Sequence, residues 1–195
     1  MLSDKYHPCQ ALADYLTILE HIGAIYSDGK INPEKIKGKS VAFIGDGNNV
    51  CASLAICGLK LGFSVKVATP KGYELESNQR LKDFLEDYKD KKYFRSYDSK
   101  EIVKDVDFVY TDVWTSMGQE QEKEERLKLF RPYQVNEELM GLTNNAKFLH
   151  CLPAERGNEV TKEVIDGKNS IVFDEAENRM WTEAGVILYL NNIRG

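Results

Sequence analysis

No stretch of this 195-residue chain offers the roughly 18 uninterrupted apolar residues that a membrane-spanning helix needs. Its first residues, Met1-Leu-Ser-Asp-Lys-Tyr-His-Pro8, lack the basic-then-apolar order of a secretory signal. Cysteine is scarce: Cys9, Cys51, Cys57 and Cys151 are scattered, with no CxxC pair. These spacings argue against a disulfide framework or a thiolate zinc site, and no metal is expected. They read as reduced, mostly buried thiols of a cytoplasmic protein. Positive charge is not in excess either. Lys and Arg number 26 against 31 Asp and Glu, a formal net charge of −5. Bulk electrostatics therefore gives no reason to seek nucleic acid or an anionic membrane. Internal repeats and low-complexity tracts are also missing. What remains is 42% hydrophobic and 29% charged, an ordinary globular mix sufficient for one large domain.

Apolar periodicity predicts an α/β alternation. A helix is expected over about 7–21, where Leu12, Tyr15, Leu16 and Leu19 share a face. Pro8 suits its first turn, and Gln10 stands where a capping-box side chain reaches back. Residues 22–39 are rich in turn signals and form the candidate linker. Strands are expected at 41–44, 64–68, 93–96, 108–110, 147–150 and 171–173. Helices are expected at about 50–61, from a Ser77 cap to 89, and at 99–104, 120–129, 136–140 and 175–190. The acidic runs at 83–90 and 120–125 read as solvated helix faces, and Trp181, Leu188 and Tyr189 as packing residues. Strands alternating with helices imply a doubly wound, Rossmann-like parallel sheet in a three-layer αβα domain.

In such sheets ligands bind beyond the carboxyl ends of the strands, where the strand order reverses. Four polar or Gly/Pro-rich segments fall there: Gly45–Asn49, Asp112–Gly118, His150–Ala154 and Asp174–Arg179. Gly45-Asp-Gly-Asn-Asn-Val50 follows a strand and opens a helix, which invites a dinucleotide reading. Val50 stands at the third glycine position, and the second strand ends in Ala68-Thr-Pro-Lys71 without a ribose-binding acid. No nicotinamide, flavin or other cofactor is expected. The same turn suits a small anionic group at a helix N-terminus, or is simply a tight turn. Asp112 can hold an ammonium group by charge-assisted hydrogen bonds, or cap the next helix. His150 and Cys151 together at a strand end suggest chemistry more than either alone. Arg179 can present its planar fork to an oxyanion, or pair along its helix with Glu175 or Glu183.

Taken in order, these segments resemble the ornithine carbamoyltransferases. The stretches that carry the resemblance are His7-Pro-Cys-Gln-Ala-Leu-Ala-Asp14, Phe43-Ile-Gly-Asp-Gly-Asn-Asn49, Ala68-Thr-Pro-Lys-Gly-Tyr73, Asp112-Val-Trp-Thr-Ser-Met-Gly118, His150-Cys-Leu-Pro-Ala154 and Phe173-Asp-Glu-Ala-Glu-Asn-Arg179. The resemblance implies that Asn49, Asp112, Ser116, Met117, Cys151 and Leu152 hold ornithine. It implies that His7, Gln10, Cys151 and Arg179 meet the carbamoyl phosphate, with Cys151, Asp112 and Arg179 as catalytic residues. The implied reaction is attack of the ornithine δ-amine on carbamoyl phosphate, giving citrulline and phosphate in arginine synthesis or breakdown.

The family's Ser-Thr-Arg-Thr-Arg phosphate-binding motif has no counterpart in this sequence. Residues 1–195 are therefore expected to form a single ornithine-binding domain, with the carbamoyl phosphate domain absent and little activity alone. Residues 22–39 look longer than the usual connection. The outer faces of the first and last helices are expected to expose apolar area and promote self-association. The alternatives are a non-catalytic small-molecule-binding domain or scaffold and, more remotely, a nucleotide-dependent oxidoreductase.

Overall fold

The computed structural model describes residues 2–75, 79–115 and 123–193. The expected cap at Ser77 and the start of the helix expected from residue 120 lie outside them. Five parallel strands form one sheet: β1 (Ser40–Ile44), β2 (Ser64–Ala68), β3 (Tyr93–Ser96), β4 (Phe108–Thr111) and β5 (Lys147–His150), in the order β3-β2-β1-β4-β5. All five residues of β1 are buried, as expected of a central parallel strand covered on both faces.

Alternation along β1 sorts the molecule into layers. Val41 and Phe43 join a cluster with Tyr15, Ile18, Leu54 and Leu81. These come from α1 (Pro8–His21), α3 (Asn49–Leu61) and α4 (Gln79–Glu86). Ala42 and Ile44 point to the other face, among Ile102, Leu139, Val164 and Ile165. Those belong to α5 (Ser99–Ile102), α7 (Glu137–Met140) and α8 (Lys162–Ile165). The sheet sits between two helical layers, as its strand–helix alternation predicts.

Residues 22–39 are more ordered than a linker. An Ile25–Ile31 bridge closes a turn, and Asn32 caps a short α2 (Pro33–Ile36) that buries Ile36 in the core. A sixth strand at 171–173 does not form. Ile171 donates its N–H to Phe148 O at 2.9 Å, and the chain then enters α9 (Val172–Ile193). A three-residue apolar run does not distinguish a strand from a helix start. The remaining helix, α6 (Lys123–Phe130), is followed by a 3-10 turn at Arg131–Tyr133.

The first and last long helices lie together along a polar seam. Asn178 Nδ2 donates to Thr17 Oγ1 at 2.9 Å and Glu20 Oε2 at 2.7 Å, and His21 Nε2 lies 2.9 Å from Asp174. The outer part of α9 is uncovered. Trp181, Leu188 and Tyr189 are 57%, 64% and 67% exposed, so they are not packing residues of this chain. On α1 only Leu12 is a large exposed apolar residue. The expected apolar face is thus concentrated on α9.

Close packing of α1 against α3 depends on Gly58. A Cβ there would collide with the Tyr15 hydroxyl, which is held by Leu54 O at 3.1 Å, and would lie 3.0 Å from Val65. Gly58→Ala should cost about 1–3 kcal/mol in urea unfolding. Gly185 is exposed on α9 with nothing near its Cβ position. Gly185→Ala should instead gain about 0.5–1 kcal/mol of helix propensity.

Candidate active site

The strand order reverses between β1 and β4, so the crevice for a ligand opens where these strands end. Gly45–Asn48 leaves β1 there, and Asp112 leaves β4. Asn48 caps α3, its Oδ1 accepting from Val50 N at 3.0 Å and Cys51 N at 3.1 Å. Its Nδ2 donates to Asp112 Oδ2 at 2.7 Å. The other carboxylate oxygen of Asp112 accepts from Val113 N at 2.8 Å and from the Cys151 thiol at 3.0 Å. One side chain thus ties together the loops after β1, β4 and β5.

Two further contacts fix this rim. Gly47 packs against the crossing segment at Tyr73–Leu75, whose backbone would lie 2.5 Å from any Cβ. Arg126 on α6 pairs with Asp46 and donates its Nε–H to Trp114 O at 2.6 Å. Burial raises the Asp46 pKa, and the Arg126 charge opposes that rise. Because Asn48 satisfies the first amides of α3, the helix N-terminus has its donors engaged by its own cap. Asn49 faces elsewhere: its Nδ2 donates to Ser3 O at 2.6 Å.

Cys151 is a neutral thiol. Burial lifts its pKa well above the ordinary range, and the negative charge of Asp112, which accepts its hydrogen, adds to the lift. Of the two forms the sequence allows, thiol and thiolate, the geometry selects the thiol. His150 is fully buried with both ring nitrogens engaged. Nδ1 accepts from Leu152 N at 2.9 Å, so the hydrogen sits on Nε2, 3.2 Å from Glu159. Asp112, His150 and Cys151 each bring one potential metal-ligand atom within 4.8 Å of the others. A cation there would have to break a His150 hydrogen bond, so the imidazole serves the turn. That turn places Leu152, partly buried at φ 52°, beside Cys151.

A second group of side chains comes from the facing ends of α1 and α9. Gln10 is buried and does not close a capping box; the N–H of His7, the residue before α1, donates to Ser53 Oγ at 2.7 Å. Instead Gln10 Oε1 accepts from an Arg179 terminal nitrogen at 2.6 Å. The other terminal nitrogen of Arg179 donates to Glu183 at 2.9 Å, while Glu175 lies elsewhere. Arg179 Nε and His7 Nδ1 are buried and have no partner among the described residues. Burial and the Arg179 charge lower the His7 pKa, leaving a neutral imidazole near pH 7. Unpaired buried polar atoms are costly unless a ligand completes them.

The sequence reading missed what lies beneath. Asp14 and Glu175 are wholly buried, with Gln10 and the Tyr110 hydroxyl between them. Burial raises both carboxyl pKa values, and for Glu175 the neighbouring Asp14 charge adds to the rise. The available signal was an acid four residues after Gln10, set between Ala11 and Ile18 at helical spacing rather than on the Leu12–Leu19 face. Ser116 and Met117 lie outside the described residues. An open groove of about 590 Å³ between α1, α3 and α4 is lined by Tyr6, Leu12, Ile56, Cys57 and Phe84, among others. It contains none of the residues gathered around Asp112 and Cys151.

Fold and crevice together define a doubly wound α/β domain whose polar side chains converge at the switch point of the sheet. The model of the aspartate/ornithine carbamoyltransferase family, Asp/Orn binding domain, matches residues 37–190, and the chain belongs to that family. An ornithine carbamoyltransferase from Pyrococcus horikoshii is 49% identical over 193 residues, covering 97% of this chain and 57% of that protein. The solved ornithine carbamoyltransferase of Pyrococcus furiosus is 48% identical, with a TM-score of 0.82 over 95% of this chain and 56% of its own. The anabolic enzyme of Campylobacter jejuni is 37% identical, with a TM-score of 0.83 over 98% of this chain and 60% of its own. The chain thus spans a little over half the length of these relatives.

The Asp112–Cys151 contact has a chemical consequence. Asp112→Asn removes a charge that holds the thiol protonated, so alkylation of Cys151 at fixed pH should accelerate severalfold. Site-resolved mass spectrometry should show no such change at Cys57, whose pKa burial pushes up to about 12. An unchanged or slower rate at Cys151 would contradict the electrostatic coupling.

Proposed function

We propose that this chain supplies the ornithine-binding part of an ornithine carbamoyltransferase, which joins carbamoyl phosphate and L-ornithine into L-citrulline and phosphate. The observation that carries the reading is the Asp112 carboxylate at the switch point, touching Asn48 and Cys151, with the orphaned Arg179 Nε and His7 Nδ1 on the α1–α9 side. A carboxylate at one pole suits an amino acid's ammonium group. Buried donors at the other suit a carbonyl oxygen that gains negative charge. Family membership supports this reading, as does the resemblance of six sequence stretches to that family.

The chemistry requires a neutral nucleophile, whereas a free alkyl amine has a pKa of about 10.4. The Cys151 thiol, held by Asp112, orients the δ-amine as its nitrogen bonds to the carbonyl carbon. The carbon–oxygen bond to phosphate breaks, phosphate leaves with the electron pair, and the nitrogen gives up a proton to it. Arg179 and His7 steady the tetrahedral intermediate through its oxyanion. In this reading Ser116, Met117 and Leu152 complete the ornithine contacts, joined by Asn49 once its amide leaves Ser3 O, and Gln10 positions the carbamoyl end. Phosphate recognition is assigned to the part of the relatives that this chain does not span. Carbamoyl phosphate is accordingly expected to bind only when that part is present. Four free thiols support a reducing, cytoplasmic setting. No helix among the described residues is long and apolar enough to cross a membrane.

Titration calorimetry with L-ornithine tests the assignment. Binding that Asp112→Ala abolishes is the expected result. Absence of binding by the folded chain would favour a scaffold over a retained site. The exposed apolar residues of α9 lead to a second expectation, association of copies of the chain. Light scattering should show a mass that rises with concentration and falls on Trp181→Ser/Leu188→Ser substitution. A concentration-independent monomer would contradict it.

A further inference from the structure

Asp14 and Glu175 stand out because two acids occupy one dry position with no cation among the described residues in direct contact. Their donors can be counted. The Gln10 amide has two hydrogens, and Nε2 lies 2.8 Å from Asp14 Oδ1 and 3.0 Å from Glu175 Oε1. The Tyr110 hydroxyl has one hydrogen and lies 3.2 Å and 3.1 Å from the same two oxygens. The His150 N–H serves Glu175 Oε2 at 3.0 Å. Asp14 Oδ2 is buried with no partner among the described residues. Two full negative charges so placed would each lose their hydration with too few donors to replace it.

We propose that Asp14 and Glu175 share a single proton and act as a positioning pair for the substrate-facing residues of α1 and α9. With one proton the pair is a monoanion, and it dictates the orientation of Gln10. The amide nitrogen must face the two carboxyl groups, which turns the amide oxygen outward to receive Arg179 at 2.6 Å. A flipped amide would set its N–H₂ against a guanidinium and its oxygen against the anionic carboxylate, losing the Arg179 contact and the bond to that carboxylate. The pair thereby fixes Arg179 through Gln10 without touching it. The titratable and charged groups facing the pair are Tyr15 on α1, Cys57 on α3, Tyr110 on β4, Cys151 after β5 and Arg179 on α9. Burial raises the pKa of both tyrosines and both thiols. They are neutral near pH 7, and Arg179 supplies the positive charge that favours one remaining anion.

The positioning role rests on the reading of Gln10 and Arg179 as substrate contacts; proton sharing stands on the packing alone. Both are measurable on the unliganded chain, so failure to bind ornithine would be a separate result. Infrared spectra of protein carrying ¹³C-carboxyl aspartate and glutamate should show a protonated-carboxyl band at pH 7. Asp14→Asn and Glu175→Gln each keep the monoanion's charge without its proton, and each should remove that band. Its absence from the wild type, or its survival in both variants, would overturn proton sharing.

The Arg179 Nε–H resonance, assigned by its loss in Arg179→Lys, reports positioning. It should stay dispersed in both single variants and collapse toward the free-arginine position in Asp14→Asn/Glu175→Gln, where no charge orients Gln10. If the double variant does not fold, Gln10→Met should release Arg179 while leaving the carboxyl band in place. An Arg179 signal unmoved by whichever of these variants is folded would overturn the positioning role.

Discussion

The structure depends on one polar junction in a dry place. Gln10 and Asp14 of α1, Glu175 of α9 and Tyr110 of β4 meet with no water-exposed side. Apolar packing alone would let two long helices slide along each other at little cost. Four directional groups that satisfy one another only in one register remove that freedom. The seam continues outward through Thr17, Asn178 and Glu20 to His21 and Asp174. The helices that bracket the chain are thus joined by hydrogen bonds along much of α1.

The candidate site inherits its geometry from this junction and from the sheet. Parallel order with β1 in the middle puts the loops after β1 and β4 on either side of the reversal. Asp112 binds them through Asn48 and reaches Cys151 beyond β5. The α1–α9 junction, reached from β5 through the His150 backbone, presents Arg179 and Gln10 to the same rim. One half of the site is built on strand ends and the other on helix ends. Their common element is Glu175, which holds the His150 amide with one oxygen and Gln10 with the other.

Much of this was legible from residue patterns, because the strands are continuous apolar runs and parallel sheets bury both faces. Asp112, Cys151 and Arg179 were singled out by their expected place beyond strand ends, and these together with Gln10 by the family resemblance. Other features were beyond local patterns. Whether Asn48 or Asn49 turns toward Asp112 depends on which one caps α3, a matter of backbone angles. Gln10 reads as a capping residue until α9 is placed over it. Glu175 reads as a surface partner of Arg179, at helical spacing, until the β5 amide claims it. Ile171–Phe173 has strand composition but only one residue of sheet pairing before the helix begins. Trp181, Leu188 and Tyr189 have core composition on a helix face that no described residue covers.

As proposed above, the carboxyl pair at this junction holds a proton in the folded state which the unfolded chain releases. A carboxyl whose pKa is raised by folding contributes stability that is complete below its unfolded value. That stability fades as pH climbs through the folded one. The direct measurement is the free energy of unfolding against pH for the wild type and Glu175→Gln. The wild type should decline relative to the variant from about pH 4.3, the ordinary glutamate value, upward. Parallel profiles across that range would mean that the pair binds no extra proton on folding, and would contradict it.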